Sequence, residues 1–134
     1  MLLFAVCRRG VVHLSIEAWS ESILVVELQN DPGFVDDVTA LFERLNTKTD
    51  VDVVLNFASL SHLNSSNIAK LLKLRKQLNG NKRRLVLCGI NTNVWGLFLV
   101  TGLDKVFEFA DTVSTALASV QIANGLEQRQ DVET

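Results

Sequence analysis

Short, strongly apolar runs alternate along this chain with longer segments in which apolar residues recur every three or four positions. The runs favour β-strands, because they are brief, rich in Val, Ile, Leu and Phe, and bounded by polar residues. They comprise Ile23–Leu28, Val51–Phe57, Leu85–Ile90 and Val106–Phe109. Val51–Phe57 and Leu85–Ile90 are almost continuously apolar, which is typical of strands that are covered on both faces.

The N-terminal stretch also predicts β-structure. Val11–Ile16 contains an alternation of apolar and polar residues, and Ser20–Ser22 suits a turn before Ile23–Leu28, so we expect a hairpin. Met1–Val6 is apolar, but it is short, has no basic segment before it and is followed by two arginines. We therefore interpret it as a strand and not as a signal peptide.

The segments between the runs predict four helices. We expect Asp31 to cap the first helix and Pro32 to occupy its first position, where a missing N–H has no cost. Asp36 and Asp37 then complement the helix dipole from the first turn. The third helix is short and stops at Gly102. The apolar stripes of the other three helices are Val35, Val38, Leu41, Phe42 and Leu45; Ile68, Leu71, Leu72, Leu74 and Leu78; and Val113, Ala116, Leu117 and Val120.

The resulting order of elements is β-β-α-β-α-β-α-β-α. Strands that alternate with helices indicate the α/β class, with a largely parallel mixed sheet that here includes an N-terminal hairpin. A length of 134 residues fits one domain. We predict a domain over residues 1–126 and a polar C-terminal tail over residues 127–134.

Composition and charge exclude several classes of protein. The net charge of -2 gives no general affinity for nucleic acid. No apolar run approaches the ~20 residues that span a bilayer, so we expect a cytoplasmic protein without direct membrane insertion. Cys7 and Cys88 each lie in an apolar segment and have no metal-ligand spacing. We therefore predict buried free thiols.

The sequence contains little that indicates catalysis. His62 precedes Ser65 by three residues, but a nucleophile–base pair would also need an orienting group, an oxyanion site and a pocket, and the sequence identifies none of these. We interpret His62 as a loop histidine that faces solvent or a partner. Asp50 and Asp52 flank the start of a strand and are expected to face solvent. We expect no enzyme activity, no metal and no cofactor.

A serine pair stands at the predicted start of the second helix. Asn64-Ser65-Ser66-Asn67 precedes the apolar stripe, and Asn64 or Ser65 suits an N-cap. Capping alone would explain these residues. A hydroxyl at this position also meets unpaired backbone N–H groups, so a phosphate added to it would be favoured by about 0.3–1 kcal/mol.

The segment Val53–Asn67 resembles the signature of the STAS domain family, which includes bacterial anti-sigma-factor antagonists and the cytoplasmic domains of sulfate transporters. The family pattern is an apolar strand, a short loop containing Leu-Ser, and Asp-Ser-Ser-Gly at a helix start. The resemblance covers about residues 20–120 and implies a single STAS-like domain. Downstream positions at spacings typical of the family are Val94, Leu97, Phe98, Gly102, Leu103, Lys105 and Phe109.

In the antagonists of this family, a partner kinase that is also an anti-sigma factor phosphorylates the serine after the aspartate. The resemblance implies that role for Ser65, with Ser66 and Asn67 forming a docking rim. Two residues depart from the pattern. Asn64 replaces the aspartate and so removes a carboxylate that could orient the hydroxyl or help to hold a kinase-bound metal. Asn67 replaces the glycine and adds a side chain where a partner would approach.

Two further surfaces are candidates for partner binding. Trp95 and Leu99 are four residues apart on the short helix and predict an exposed apolar patch, unless both pack against a neighbouring segment. Lys70 and Lys73 belong to a group of cations that either forms a solvated face or attracts an acidic partner. The full group is Lys70, Lys73, Arg75, Lys76, Lys82, Arg83 and Arg84.

These observations support one principal hypothesis and two alternatives. The principal hypothesis is an anti-sigma-factor antagonist whose partner is an anti-sigma factor of the serine-kinase type, switched by phosphorylation of Ser65. The first alternative is an unphosphorylated interaction or scaffold subunit of a lipid-transport or sensory assembly, which Asn64 and Asn67 favour. The second is small-ligand binding at the ends of the parallel strands. The sequence is compatible with a homodimer, and we expect no nucleic-acid partner.

Overall fold

The computed structural model describes residues 16–133, with side chains up to residue 124. Met1–Val6, Cys7 and most of the predicted strand Val11–Ile16 lie outside the described residues. The elements are β1 (Ile16–Ser20), β2 (Ile23–Glu27), α1 (Gly33–Thr47), β3 (Asp52–Asn56), α2 (Ser65–Gly80), β4 (Leu85–Cys88), α3 (Thr92–Thr101), a 3-10 turn (Leu103–Lys105), β5 (Glu108–Ala110) and α4 (Val113–Glu133).

The strands form one sheet in the order β1-β2-β3-β4-β5. β1 and β2 pair antiparallel across the predicted turn, and the remaining neighbours pair parallel. Each parallel connection contains a helix, as a crossover requires. The α/β class, the hairpin and the mixed parallel sheet are thereby confirmed. α4 continues to Glu133, through the residues predicted as a polar tail.

Helices cover both faces of the sheet, and side chains of each central strand alternate between the two cores. Val53 and Leu55 of β3 pack with α1, α2 and α3, whereas Val54 packs with α4 on the opposite face. β4 repeats the pattern, with Leu85 and Leu87 on the first face. This double burial explains why the sequences of β3 and β4 are almost continuously apolar.

The start of α1 differs from the prediction. The helix begins at Gly33, and Pro32 occupies the N-cap position without a side-chain hydrogen bond. The Asp31 carboxylate does not cap α1, because it accepts hydrogen bonds from two amides at the start of α2. Asp36 lies in the first turn as predicted, whereas Asp37 is buried.

The environment of Asp52 also differs from the prediction. Its side chain is only 1% exposed, and it accepts hydrogen bonds from Arg83 Nη2 at 2.8 Å, from the Arg84 backbone N–H at 2.8 Å and from Asn124 Nδ2 at 3.0 Å. These partners lie 31 to 72 residues away, so the local pattern could not reveal them. Asp50, in contrast, is exposed and pairs with Lys48 at 3.2 Å, as expected for a solvent-facing acid.

Candidate functional site

The candidate site lies where the parallel strands end at one edge of the sheet. The last residues of three strands, Glu27, Asn56 and Cys88, stand side by side in the register. Loops that leave this row therefore converge, and the loop after β3 leads directly to the serine pair at the start of α2. In open α/β sheets, this edge is the common location of functional sites.

Asparagine side chains fix the loop after β3. Asn30 Oδ1 accepts the backbone N–H groups of Ser61 at 2.9 Å and His62 at 3.2 Å, and its Nδ2 donates to Ser61 Oγ at 3.0 Å. On the other side, Asn91 Nδ2 donates to the carbonyl oxygen of Leu60 at 2.8 Å. The loop is thus held between the segments that follow β2 and β4.

Asn64, one of the two predicted candidates for the N-cap, caps α2. Its backbone is extended, and its Oδ1 accepts the backbone N–H of Asn67 at 2.8 Å. The carbonyl oxygen of Asn64 accepts the N–H of Ile68 at 3.0 Å. Among the first four N–H groups of the helix, those of Ser65 and Ser66 therefore remain directed out of its N-terminus.

Asp31 places a carboxylate beside this cap. Its Oδ2 accepts Asn64 Nδ2 at 3.1 Å and Asn67 Nδ2 at 3.4 Å. The site thus contains an acidic group next to residue 64, although residue 64 itself is an amide. Asn67 is only 3% exposed, which is contrary to its predicted place in a docking rim. Its side chain turns inward and donates to Asp31.

The two serines differ in their surroundings, although both are exposed. Ser66 Oγ receives a hydrogen bond from Lys70 Nζ at 3.2 Å. The hydroxyl of Ser65 has no hydrogen-bond partner within residues 16–124. Ser65 therefore presents the less constrained hydroxyl at the first position of α2.

His62 is exposed, and the described side chains include none that hydrogen-bonds to its ring. Its backbone N–H is held by Asn30. The structure thus places His62 on the surface of the loop before Ser65 and does not join the two side chains by a hydrogen bond. Its predicted contact with a partner stays a prediction.

Trp95 and Leu99 do not form one exposed patch. Trp95 is half-buried and packs edge-on against Phe109, with ring centroids 4.9 Å apart. This contact draws the indole towards β5, while Leu99 remains 51% exposed. A cavity of about 220 Å³ lies beside this tryptophan at the carboxyl edge of the sheet, lined by Ile90, Trp95, Phe109, Ala110 and Asp111.

The cations of the predicted basic surface are divided between different parts of the fold. Lys70 contacts Ser66, and Lys73 Nζ lies 5.4 Å from the centre of the Phe42 ring of α1. Arg83 binds Asp52, and Arg84 binds Glu108, both at the opposite edge of the sheet. Lys70 and Lys73 thus lie on α2 beside Ser66 and beside α1, respectively, and the cations do not form one continuous basic surface.

Sequence reasoning missed three residues that build this site, namely Asn30, Asp31 and Asn91. A usable signal was present, because each lies a few residues beyond a predicted strand, where parallel strands bring their following loops together. Within the described residues, no group of three His, Cys, Asp or Glu side chains could hold a metal ion. Nor does that part of the chain contain a helix long and apolar enough to cross a membrane.

Comparison with known proteins agrees with this geometry. The family model of the STAS domain matches residues 11–116. Similar solved structures include an anti-sigma-factor antagonist (STAS) domain protein from Planctomyces limnophilus, at 16% identity and a TM-score of 0.68, covering 79% of this chain and 97% of that one.

Two further structures have the same fold. One is of a protein with a substituted serine, and the other is of a phosphorylated protein. RsbS of Moorella thermoacetica, with a serine-to-glutamate substitution, is 16% identical with a TM-score of 0.71 and covers 81% of this chain and 95% of that one. The phosphorylated form of the Bacillus cell-fate determinant SpoIIAA is 21% identical with a TM-score of 0.61, covering 78% and 96%.

Proposed function

Because this chain belongs to the STAS domain family, we propose that it is an anti-sigma-factor antagonist that acts by partner switching. In this proposal it binds an anti-sigma factor that is also a serine kinase, and phosphorylation of Ser65 ends the binding. Both partners act in the cytoplasm, and the chain itself performs no catalysis and uses no cofactor. The observation that carries the proposal is the exposed Ser65 hydroxyl at the first position of α2.

The surroundings of Ser65 suit phosphoryl transfer from a kinase. Ser65 Oγ would form a bond to the γ-phosphorus of ATP held by the kinase, the bond to the β,γ-bridging oxygen would break, and ADP would leave. The hydroxyl proton would pass to a base of the kinase. Ser66 is less suited to this attack, because its oxygen already receives a hydrogen bond from Lys70.

Asp31 supports the site in a second way. In antagonists that resemble this chain, an aspartate precedes the modified serine, and Asn64 stands there instead. Asp31 Oδ2 lies 3.1 Å from Asn64 Nδ2, so a carboxylate reaches the same neighbourhood from a different loop. We propose that Asp31 positions Asn64 and Asn67 and presents this negative charge to a kinase-bound metal ion.

The energetic effect of the modification is sufficient for a switch. A phosphate adds nearly two negative charges to an exposed helix start. Desolvating that charge at an interface built for a neutral hydroxyl costs a few kcal/mol. Since about 1.4 kcal/mol changes affinity tenfold, one phosphate reduces partner binding by at least about tenfold.

The first test is phosphate mapping after incubation of the chain with ATP and an anti-sigma-factor serine kinase from the same organism. We expect ATP-dependent phosphorylation of Ser65 by mass spectrometry, loss of the product in Ser65→Ala and its retention in Ser66→Ala, the matched control. Phosphate on Ser66 alone would contradict the assignment of Ser65.

The second test measures binding of the unmodified chain and of Ser65→Asp to the same kinase. We expect Ser65→Asp to bind at least about tenfold more weakly. Absence of phosphorylation together with equal binding would reject the switch. It would favour the scaffold alternative, which co-purification of an assembly from the native cells would then identify.

The third test concerns Asp31. Asp31→Asn removes the charge but keeps a side chain that can accept the two amides, so we expect slower phosphorylation with unchanged binding of the kinase. Asp36→Asn is the matched control, because Asp36 is an exposed acid in the first turn of α1 and contacts neither Asn64 nor Asn67. Equal phosphorylation rates in both variants would show that the Asp31 carboxylate has no such role.

A further inference from the structure

A second polar cluster lies at the opposite edge of the sheet, where β4 and β5 begin. A cavity of about 160 Å³ opens there, and its polar lining comes from Arg75, Asn79, Arg83, Arg84 and Glu108. α2 contributes Arg75 and Asn79, and the segment before β4 contributes the other two arginines. The serine pair follows the carboxyl ends of the parallel strands, whereas this cavity lies at their amino ends. The cavity is therefore distant from the serine pair and independent of the proposed switch.

Each arginine is anchored through one nitrogen. Arg75 Nε donates to the carbonyl oxygen of Val106 at 2.8 Å. Arg83 Nη2 donates to Asp52 Oδ2 at 2.8 Å, and Arg84 Nη2 donates to Glu108. A guanidinium group carries five N–H donors in a rigid fork. These anchors therefore fix the orientation of three forks while leaving most of their donors available.

The cluster contains more N–H donors than acceptors, and more positive than negative charges. Arg83 Nε and Arg84 Nε are shut off from solvent, and the described part of the chain offers neither of them an acceptor. Three guanidinium groups line the cavity with one carboxylate, that of Glu108. The nearby carboxylate of Asp52 is buried and already accepts hydrogen bonds from Arg83, Arg84 and Asn124. Buried N–H groups are normally paired, so this arrangement indicates an additional acceptor.

We propose that this cavity binds a small phosphate-bearing anion through Arg75, Arg83 and Arg84. A phosphate group has oxygens that point in several directions, so it can accept from forks that approach from α2 and from the segment before β4 at once. A planar carboxylate matches one fork at a time. The cavity is smaller than the roughly 300–1,000 Å³ of pockets for drug-sized ligands, so the ligand is small or inserts only its phosphate.

The proposal is tested by titrating the full chain at low ionic strength with inorganic phosphate. We expect saturable shifts of the Arg83 and Arg84 Nε–H signals in ¹H–¹⁵N spectra, with no shift at Ser65. Sodium acetate at the same ionic strength should produce no saturable change. Equal binding of acetate would overturn the assignment to phosphate. A parallel titration with glycerol phosphate distinguishes the source, because tighter binding than inorganic phosphate identifies an organic monoester.

Matched variants separate a built site from general charge attraction. Arg75→Gln should weaken phosphate binding by at least about tenfold. Lys76→Gln removes the same charge from the adjacent, exposed position of α2 and should leave binding unchanged. Equal weakening in the two variants would show that phosphate responds only to net charge. The dispersion of the ¹H–¹⁵N spectrum verifies that each variant is folded.

Glu108→Gln provides a test by gain of affinity. The native carboxylate competes with phosphate for Arg84, so its neutralisation should tighten phosphate binding by about threefold. An arginine cluster with a purely structural role would not gain affinity in this way. Unchanged or weaker binding by Glu108→Gln would overturn the proposed location of the anion.

Discussion

At the residue scale, two adjacent residues at the carboxyl end of β4 are constrained for different reasons. Cys88 is constrained by the burial of its side chain, and Gly89 by the conformation of its backbone. The Cys88 side chain is buried between the sheet and α4, and its Sγ lies 3.5 Å from the carbonyl oxygen of Leu55. Burial raises the pKa of this thiol from 9.0 to about 11. Gly89, the next residue, has a left-handed backbone with φ of +69°.

The first prediction concerns the reactivity of Cys88. In a Cys7→Ser background, Cys88 is the single thiol, because the chain has two cysteines. A pKa raised from 9.0 to about 11 reduces the thiolate fraction by about 100-fold at about pH 8. We expect at least this ratio between labelling rates in denaturant and in the folded state, measured with a chromogenic disulfide reagent. Comparable rates would show that the thiol is accessible.

The same shift gives a pH dependence of stability. Between about pH 9 and about pH 11 the folded chain keeps a proton on Cys88 that the unfolded chain loses. The unfolded state then binds fewer protons, so the free energy of unfolding falls as pH rises through this window. Cys88→Ala removes the thiol and should flatten this part of the profile in denaturant titrations.

The second prediction concerns Gly89. A Cβ on this residue would lie 2.7 Å from Asn56 Oδ1, and the left-handed backbone alone disfavours a side chain by about 1–2 kcal/mol. We expect Gly89→Ala to lower the free energy of unfolding by more than this amount, measured by urea denaturation. Gly96→Ala is the control with the opposite sign. A Cβ there meets no atom within 4 Å, and alanine is more favourable than glycine inside a helix by about 0.5–1 kcal/mol. We therefore expect Gly96→Ala to raise the free energy of unfolding.

At the element scale, α2 is positioned by contacts at its N-terminus as well as by its apolar stripe. Asn64 caps the helix, and the Asp31 carboxylate binds the amides of Asn64 and Asn67 from the segment before α1. This arrangement replaces the aspartate of the family pattern by an amide and supplies the negative charge from a second loop. The effects of substitutions at Asp31 and Asn64 on stability should therefore be coupled.

The third prediction tests this coupling. Asn64→Asp keeps a capping oxygen but removes the donor to Asp31 and places two carboxylates together, so we expect a loss of about 1 kcal/mol in the free energy of unfolding. In an Asp31→Asn background, the donor and acceptor roles are exchanged, and the cost should largely disappear. Chemical denaturation of the four chains measures the coupling. An equal cost of Asn64→Asp in both backgrounds would show that the side chains act independently.

At the scale of the whole molecule, Asp52 connects segments that are distant in sequence. Its carboxylate joins the start of β3 to the segment before β4 and to α4, through Arg83, Arg84 and Asn124. A buried charge is stabilised only when its partners are complete, and removing one partner leaves the others unpaired in the interior. Asp52 thus helps to hold α4 against the amino edge of the sheet.

The fourth prediction compares Asp52 with its neighbour Asp50. Asp52→Ala leaves the Arg83 guanidinium without its acceptor, so we expect a loss of about 3–5 kcal/mol in the free energy of unfolding. Asp50→Ala removes an exposed acid that pairs with the exposed Lys48 and should leave stability nearly unchanged. Denaturant unfolding followed by circular dichroism measures both. Similar midpoints for the two variants would show that the Asp52 contacts contribute little.

The sequence by itself determined the order of the elements, the mixed parallel sheet, an N-cap at Asn64 or Ser65 and the placement of the serine pair at the start of α2. These features follow from local rules. The alternation of Val53, Val54 and Leu55 between two cores makes β3 continuously apolar, and a capping side chain bonds to an N–H three residues away. Patterns of this length are visible in a single sequence.

Only the tertiary structure decided which polar residues meet. The sequence predicted that Asp31 caps α1, but its carboxylate binds Asn64 and Asn67, 33 and 36 residues away. It also predicted that Asp52 faces solvent, but Asp52 is buried. Trp95 suited an exposed patch and packs on Phe109. In each case the local alternative was plausible, and a partner brought close by the packing of the sheet and helices offered a more favourable contact. Such pairings depend on the three-dimensional approach of distant segments, which residue spacing does not encode.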